Sequence, residues 1–199
     1  MPAERGLVVR WSTPAPLAGA DVRARRTAGR LASRVALGEA IAAWRAAFGD
    51  AEWQRAPVVH DASGAPRFDH PHAPPIALAH AAGLGGGAIA MPGVPHAGID
   101  CEPADARGAS ALRQLAARSG EDRLEWCDDA WPLRMWCAKE AVVKAERAPA
   151  DILGRSLRVE RVHPAGAGGT QPVEVRSHLG RTFRVVTEAS GAHVRAFTA

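Results

Sequence analysis

The C-terminal part of this chain contains four short segments rich in β-branched residues, separated by glycine-rich or polar turns. The segments are SLRVERV (156–162), PVEVRS (172–177), TFRVVTE (182–188) and AHVRAFT (192–198). Consecutive strands joined by short turns pair in antiparallel order. The sequence therefore predicts an antiparallel meander at this end of the chain.

Two longer segments have helical patterns. Residues 21–48 form the first, because Asp21 can cap its start and Gly49 can end it. In the second, Pro132 suits the first turn of a helix that runs to about Glu146. An apolar stripe near the 3.6-residue period is expected to face the core from the first helix: Leu31, Val35, Leu37, Ile41 and Trp44.

Strand-like segments also occur in the N-terminal part of the chain. They lie at 6–12, at 56–68 with a turn at Ser63-Gly64, at 76–83, at 86–91 and at 97–103. The pair 76–83 and 86–91 is expected to flank a glycine-rich turn. Short helices are predicted at 105–118 and 121–127. Helices followed by strands occur in both parts, so the predicted class is α+β, and an internal pseudo-duplication stays open.

The chain has 199 residues, a formal charge of +4 and only two lysines among its 25 basic residues. A mild positive excess attracts phosphate-bearing small molecules, acidic proteins or nucleic acid without choosing among them. Four arginines share one face of the first helix: Arg23, Arg26, Arg30 and Arg34. That face suits nucleic acid, solvent or one nucleotide phosphate. No RNA-type aromatic motif accompanies it, so we expect no nucleic-acid partner.

The cysteines and the hydropathy indicate a cytoplasmic protein. Three cysteines form no CxxC pair, which is typical of reduced thiols. No apolar stretch reaches the ~20 residues of a membrane helix, and no signal-peptide pattern is present. We therefore expect no membrane partner.

Two acids sit close together in the strand predicted at 97–103. Side chains alternate along a strand, so Asp100 and Glu102 point to one face while Ile99 and Cys101 point to the core. Adjacent carboxylates repel unless a cation compensates, and Mg²⁺ prefers oxygen ligands. An exposed strand end with two solvated acids is the alternative.

Both lysines lie in WCAKEAVVKA (136–145). On a helix, Trp136, Glu140 and Lys144 are four residues apart and share a face. A third carboxylate beside a lysine suits a metal-bound phosphate. Lys139 lies about 100° round the helix from Glu140. A solvated Glu-to-Lys pair is the alternative.

Together, GIDCE (98–102) and WCAKEAVVKA resemble the two motifs of the 4′-phosphopantetheinyl transferases, G-[IV]-D-[IVL]-E and W-x-x-K-E-[AS]-x-x-K. Cys101 is the one departure within them. Arg34-Val-Ala-Leu-Gly38 is similar to the family's R-x-L-x-G segment, and Leu78-Ala-His80-Ala81 to its N-x-S-H-S strand. The order of these motifs looks like the monomeric, surfactin-synthetase-activating type.

This resemblance implies a pseudo-dimer of two similar α+β halves, 1–95 and 96–199, with the active site between them. It implies Mg²⁺-dependent transfer of phosphopantetheine from coenzyme A to a serine of an apo acyl or peptidyl carrier protein, with release of 3′,5′-ADP. The implied metal ligands are Asp100, Glu102 and Glu140.

The same resemblance implies roles for other residues. Glu140 or a metal-bound water takes the serine proton, and Lys144 stabilises charge on the phosphates. Coenzyme A contacts are expected from Lys139, Lys144, His80 and Arg34, with Arg30 or Arg26 beside it. A guanidinium suits phosphate because it can bind two oxygens at once.

The chain departs from the family at three alanines. Ala79 and Ala81 replace serines beside the histidine, and Ala65 replaces the cation of a G-K-P turn. These losses keep an alternative open, namely a coenzyme A or nucleotide-binding relative without transfer activity. His70 and His72 are expected to be solvated loop residues, because no cysteine or acid completes a zinc spacing.

Overall fold

The computed structural model describes residues 6–13, 21–81, 83–104, 117–118, 120–148 and 156–199. Within these residues the fold is α+β, with two α-helices and antiparallel sheets. The helices are α1 (Val22–Phe48) and α2 (Trp131–Glu146). The strands are β1 (Leu7–Ser12), β2 (Val58–His60), β3 (Pro66–Phe68), β4 (Ile76–Ala81), β5 (Leu84–Ala90), β6 (Ile99–Pro103), β7 (Arg158–Val162), β8 (Thr170–Arg176), β9 (Thr182–Ser190) and β10 (His193–Thr198).

The predicted meander is present and gains one further strand. The five-stranded sheet has the order β6-β10-β9-β8-β7, and every neighbouring pair is antiparallel. Helix α2 packs on β6, β9 and β10 of this sheet, and Pro132 lies in its first turn. Strand β6 is therefore the edge strand of this sheet, and α2 packs on the face of the sheet formed by β6, β10 and β9.

A three-stranded sheet of order β1-β5-β4 carries α1. The predicted ends of α1 are confirmed: Asp21 accepts a hydrogen bond from Ala24 N, and Gly49 ends the helix at φ 89°. The predicted hairpin is also present as β2 and β3, joined by the turn at 61–65. Strands β4 and β5 contact β6, so the two larger sheets adjoin.

The predicted apolar stripe of α1 is partly wrong. Leu31 and Val35 are 59% and 54% exposed, whereas the helix buries small residues against the sheet. These are Ala32, Ser33, Ala36 and Ala40. Small residues face the sheet because the two backbones approach closely there, and a large side chain would hold them apart.

The glycines of β5 explain this close approach and correct a second prediction. The strand predicted at 86–91 begins earlier, at Leu84, so Gly85 lies within β5 with Gly86 and Gly87 rather than in the turn before it. A Cβ on Gly85 would lie 2.2 Å from Ser33 N, and one on Gly87 would lie 2.4 Å from Leu37 N. Any side chain at either position would push α1 off the sheet.

Predictions for the central segment had mixed outcomes. The short helix expected at 121–127 is reduced to one 3-10 turn, Glu121–Arg123. Most of the helix expected at 105–118 lies outside the described residues. All three cysteines are free thiols, as predicted. Within the described residues, no helix has both the length and the apolar character needed to cross a membrane.

Candidate active site between the two sheets

A cleft of about 950 Å³ runs between α1, hairpin β2–β3, β4 and α2. Its lining brings together five residues singled out from the sequence: Arg30, Arg34, His80, Glu140 and Lys144. They come from elements distant in the sequence. Two further predicted residues, Asp100 and Glu102, lie behind Glu140 and Lys144 on β6.

Strand β6 orients its acids as the alternation predicts. Ile99 and Cys101 are buried in the core between the two larger sheets, at 0% and 1% exposure. Asp100 and Glu102 therefore face α2. Gly98 makes this arrangement possible, because a Cβ there would lie 1.9 Å from the carbonyl oxygen of Ala141 in α2.

One face of α2 meets these acids, as its spacing predicts. The Trp136 side chain lies beside Glu102 and acts to lower the pKa of that carboxyl, against the larger effects that raise it. Two turns along, Lys144 Nζ donates to Asp100 Oδ1 at 2.7 Å. Glu140 lies between them on the helix, and in addition to burial the charges of Asp100 and Glu102 both act to raise its pKa. Three carboxylates and one ammonium thus share a partly buried volume at the end of the cleft.

The ionisation of this group departs from that of free side chains. Burial, followed by the Asp100 charge, raises the pKa of Glu140 to about 7. The same two causes raise the pKa of Glu102. Burial acts to lower the pKa of Lys144, but the Asp100 carboxylate outweighs it, and the pKa of Lys144 is raised. Near neutral pH the site can therefore both hold and release a proton at Glu140.

The donor set fits a hard divalent cation. Asp100 is 5% exposed, and its Oδ2 has no hydrogen-bond partner within the described part of the chain. A buried carboxylate oxygen without a partner is costly unless a cation or donor completes it. Burial, and then the neighbouring Asp100 charge, raises the pKa of Glu102 and of Glu140, and a cation bound beside these carboxylates would favour their charged forms. The described residues do not, however, hold three His, Cys, Asp or Glu side chains in a ready ligand cluster.

Lys139 is not brought to the cleft. Its side chain is fully buried, and Nζ donates to Glu121 Oε2 at 2.8 Å. Glu121 also accepts from the backbone N–H groups of Arg118 and Val159, at 2.5 and 2.6 Å. The ligand contact expected from Lys139 is therefore replaced by a buried ion pair that ties α2 to the 3-10 turn and to β7.

The cleft is also lined by cationic side chains from other elements. Arg30 and Arg34 extend from α1, and His80 comes from β4. Gly29 leaves room for His80, whose Cβ would be 3.2 Å from a Cβ at that position. No side-chain hydrogen bond joins Arg34 to another described residue, which leaves its guanidinium available to a ligand. Arg26 does not line the cleft.

The three alanine departures have different surroundings. Ala65 lines the cleft, so a cation is missing there relative to the family pattern. Ala79 is buried in the core between the two larger sheets. Ala81 packs against that core. Only the change at position 65 therefore alters the cleft surface.

Two site features were not anticipated from the sequence. The contact between Trp136 and Glu102 could have been predicted from the sequence, since Trp136 shares a helix face with Glu140 and Lys144. The ion pair between Arg147 Nη1 and Asp61 Oδ2, 2.5 Å long, could not have been predicted, because it joins residues far apart in the chain. Other candidates lie away from the site: His70 is beside Glu52, and Cys137 is fully buried with a pKa raised by burial.

No protein-family model matches this chain, and no curated protein matches it either.

Proposed function

We propose that this protein transfers the 4′-phosphopantetheine group from coenzyme A to a serine of an apo acyl or peptidyl carrier protein. The observation that carries the proposal is the convergence of two predicted groups in one cleft. Arg30, Arg34 and His80 come from α1 and β4, Glu140 and Lys144 come from α2, and all five line the same cleft. Coenzyme A carries phosphates at two positions of its nucleotide, so a cleft lined by several cations suits it.

The charge of the cleft supports a polyanionic ligand. Four permanent cations line it: Arg30, Arg34, Lys144 and Arg147. Among the described lining residues Glu140 is the only acid, and its pKa of about 7 keeps it partly neutral. Low-dielectric walls strengthen the attraction of such a cleft for phosphate.

The acids on β6 and α2 would hold Mg²⁺ through Asp100, Glu102 and Glu140. When bound, the ion neutralises charge on the pyrophosphate and polarises it for attack. Asp100 Oδ2 is the oxygen most in need of such a partner. Lys144 would keep its contact with Asp100 while its ammonium faces the phosphates.

Proton transfer falls to Glu140. A general base must lie within reach of the proton that it takes, and Glu140 lines the cleft in which the phosphates would lie. The serine hydroxyl gives its proton to Glu140, and its oxygen forms a bond to the β-phosphorus. The bond from that phosphorus to the bridging oxygen breaks, and 3′,5′-ADP leaves with the electron pair.

The pseudo-dimer is part of the proposal. Each larger sheet carries one helix, α1 on β1-β5-β4 and α2 on β6-β10-β9, and the cleft opens between them. This agrees with halves at 1–95 and 96–199. The net charge of +4 suits an acidic carrier partner.

A coenzyme A-binding protein without transfer activity is the second candidate. It is favoured by Ala65 in the cleft and by the Lys144 ammonium that already occupies one oxygen of Asp100. Both features weaken the case for catalysis more than the case for binding.

The test is incubation with coenzyme A, MgCl₂ and a panel of apo carrier proteins, followed by intact-mass spectrometry. We expect a carrier mass increase equal to phosphopantetheine. Asp100→Asn should remove the increase, and Asp129→Asn, at an exposed position, should not. Coenzyme A binding without a mass increase on any carrier would support the second candidate.

A further inference from the structure

The C-terminal end of α2 contains an unusual backbone conformation. Arg147 follows the helix at φ 53° and ψ 36°, and it is the one non-glycine residue with positive φ among those described. Helices commonly end in this left-handed conformation, but glycine or asparagine usually occupies the position, because a Cβ is unfavourable there. An arginine at this point therefore carries a backbone cost that a glycine would avoid.

That side chain crosses the cleft. Its Nη1 lies 2.5 Å from Asp61 Oδ2, which belongs to the turn of hairpin β2–β3. Arg147 and the turn residues Ser63, Gly64 and Ala65 all line the cleft. The pair therefore joins the end of α2 to the opposite wall.

Asp61 also organises the turn itself. Its other oxygen, Oδ1, accepts from Ser63 N, Ser63 Oγ and Ala65 N, at 2.9, 2.6 and 3.1 Å. The Ser63 hydroxyl is the first cause that lowers the pKa of Asp61, and Arg147 adds to it. The carboxylate thus fixes the turn with one oxygen and faces Arg147 with the other.

The hairpin is anchored in the core at one end, through Phe68. Strands β2 and β3 have three residues each and pair only with each other. Such a small sheet is marginal without outside contacts. Its Val58 and His60 are exposed, whereas Phe68 is anchored in the core against Trp53. The turn end of the hairpin is therefore the part that Arg147 can control.

We propose that Arg147 is a positioning residue that holds the turn of hairpin β2–β3 against the end of α2 and so sets the width of the cleft for coenzyme A. This inference rests on the proposed function for its ligand. It assigns Arg147 a mechanical role through Asp61 rather than a direct contact with phosphate.

Two single variants separate these roles. Arg147→Gly removes the cation and relieves the left-handed conformation, so its melting temperature should stay level or rise. Asp61→Asn keeps an amide oxygen that can accept hydrogen bonds in the turn, but it removes the negative charge that forms the ion pair with Arg147. We expect each to weaken coenzyme A binding about two- to fivefold in calorimetry, the range of a partly exposed ion pair. The double variant should bind coenzyme A as tightly as either single variant does.

The opposite result for Asp61→Asn would overturn the proposal. If Arg147 served only as a charge for the ligand, removal of the neighbouring carboxylate would tighten coenzyme A binding. Arg147→Lys, which keeps a cation, should recover part of the affinity lost in Arg147→Gly.

A second measurement does not need the ligand. Hydrogen exchange of the amides in residues 58–68 should be faster in Arg147→Gly and in Asp61→Asn than in the wild-type protein, while α2 stays protected. Unchanged exchange in both variants would overturn the proposal. If the wild-type protein fails to bind coenzyme A, the proposed function fails, and the exchange result still decides whether Arg147 holds the hairpin.

Discussion

Lys144 Nζ lies 2.7 Å from Asp100 Oδ1, while Oδ2 of the same buried carboxylate has no hydrogen-bond partner within the described residues. One oxygen is thus neutralised by the protein, and the other is left for a second positive group. Burial and then the charge of the same Asp100 carboxylate raise the pKa of Glu140 to about 7. Four predictions follow from the geometry of this region and of its supports.

Asp100→Asn should weaken Mg²⁺ binding by at least about tenfold, because even outer-shell changes at metal sites cost that much. The amide is close in shape to the carboxylate but carries no charge for the ion or for Lys144. Titration calorimetry with MgCl₂ alone measures the effect. Asp129→Asn, at an exposed position, is the matched control. Equal affinity in Asp100→Asn and the wild-type protein would show that the ion binds elsewhere.

The free energy of unfolding should fall as pH rises from about 4.5 to about 7. Glu140 has a model-peptide pKa of 4.5 and a folded-state pKa of about 7, so the folded protein binds its proton more tightly in this window. Stability is then highest at the acidic side of the window and is lost as the carboxylate ionises. Urea unfolding at several pH values in this range measures the free energy of unfolding. This free energy should depend less steeply on pH in Glu140→Gln than in the wild-type protein. Saturating Mg²⁺ should reduce the pH dependence of the wild-type protein in the same way.

Lys139→Met should destabilise the fold by about 3–5 kcal/mol, because it leaves Glu121 as a buried charge without its cation. The double variant Lys139→Met with Glu121→Gln should recover part of that loss, since the glutamine oxygen can still accept from Val159 N. Urea denaturation provides the free energies. A loss below about 1 kcal/mol would mean that the pair is solvated.

Gly98→Ala should destabilise the protein by about 1–3 kcal/mol, the usual cost of overpacking. Its Cβ would lie 1.9 Å from the carbonyl oxygen of Ala141, and that carbonyl is part of the helix backbone, which cannot move cheaply. Gly38→Ala in α1 is the control, because nothing lies within 4 Å of its Cβ position. That control should be stabilising by about 0.5–1 kcal/mol, since alanine is the better helix former. Thermal unfolding of both variants separates crowding from propensity.

Local rules predicted much of this fold. Asp21 and Gly49 mark the ends of α1 because caps depend on nearby backbone groups. Alternation placed Asp100 and Glu102 on one face because strand geometry is regular. The helical period likewise placed Glu140 and Lys144 together, and the cleft contains both.

Predictions failed where contacts between elements far apart in the sequence determine which side chains are buried. Where α1 crosses Gly85 and Gly87 it buries small residues rather than Leu31 and Val35, because the sheet comes too close there, whereas Leu37 and Trp44 are buried as predicted. Lys139 turns to Glu121, which no helical spacing could reveal. Such choices depend on which backbones touch, and a single sequence does not contain that information in its local patterns.

Trp136, beside Glu102, gives the site its own fluorophore. Indole emission responds to charge and polarity beside the ring, and Glu102 is one of the acids that a cation would engage. The other five tryptophans can be changed to phenylalanine one by one until the emission of Trp136 dominates. Metal and nucleotide binding could then be followed by intrinsic tryptophan fluorescence, without an added label and without enzyme turnover.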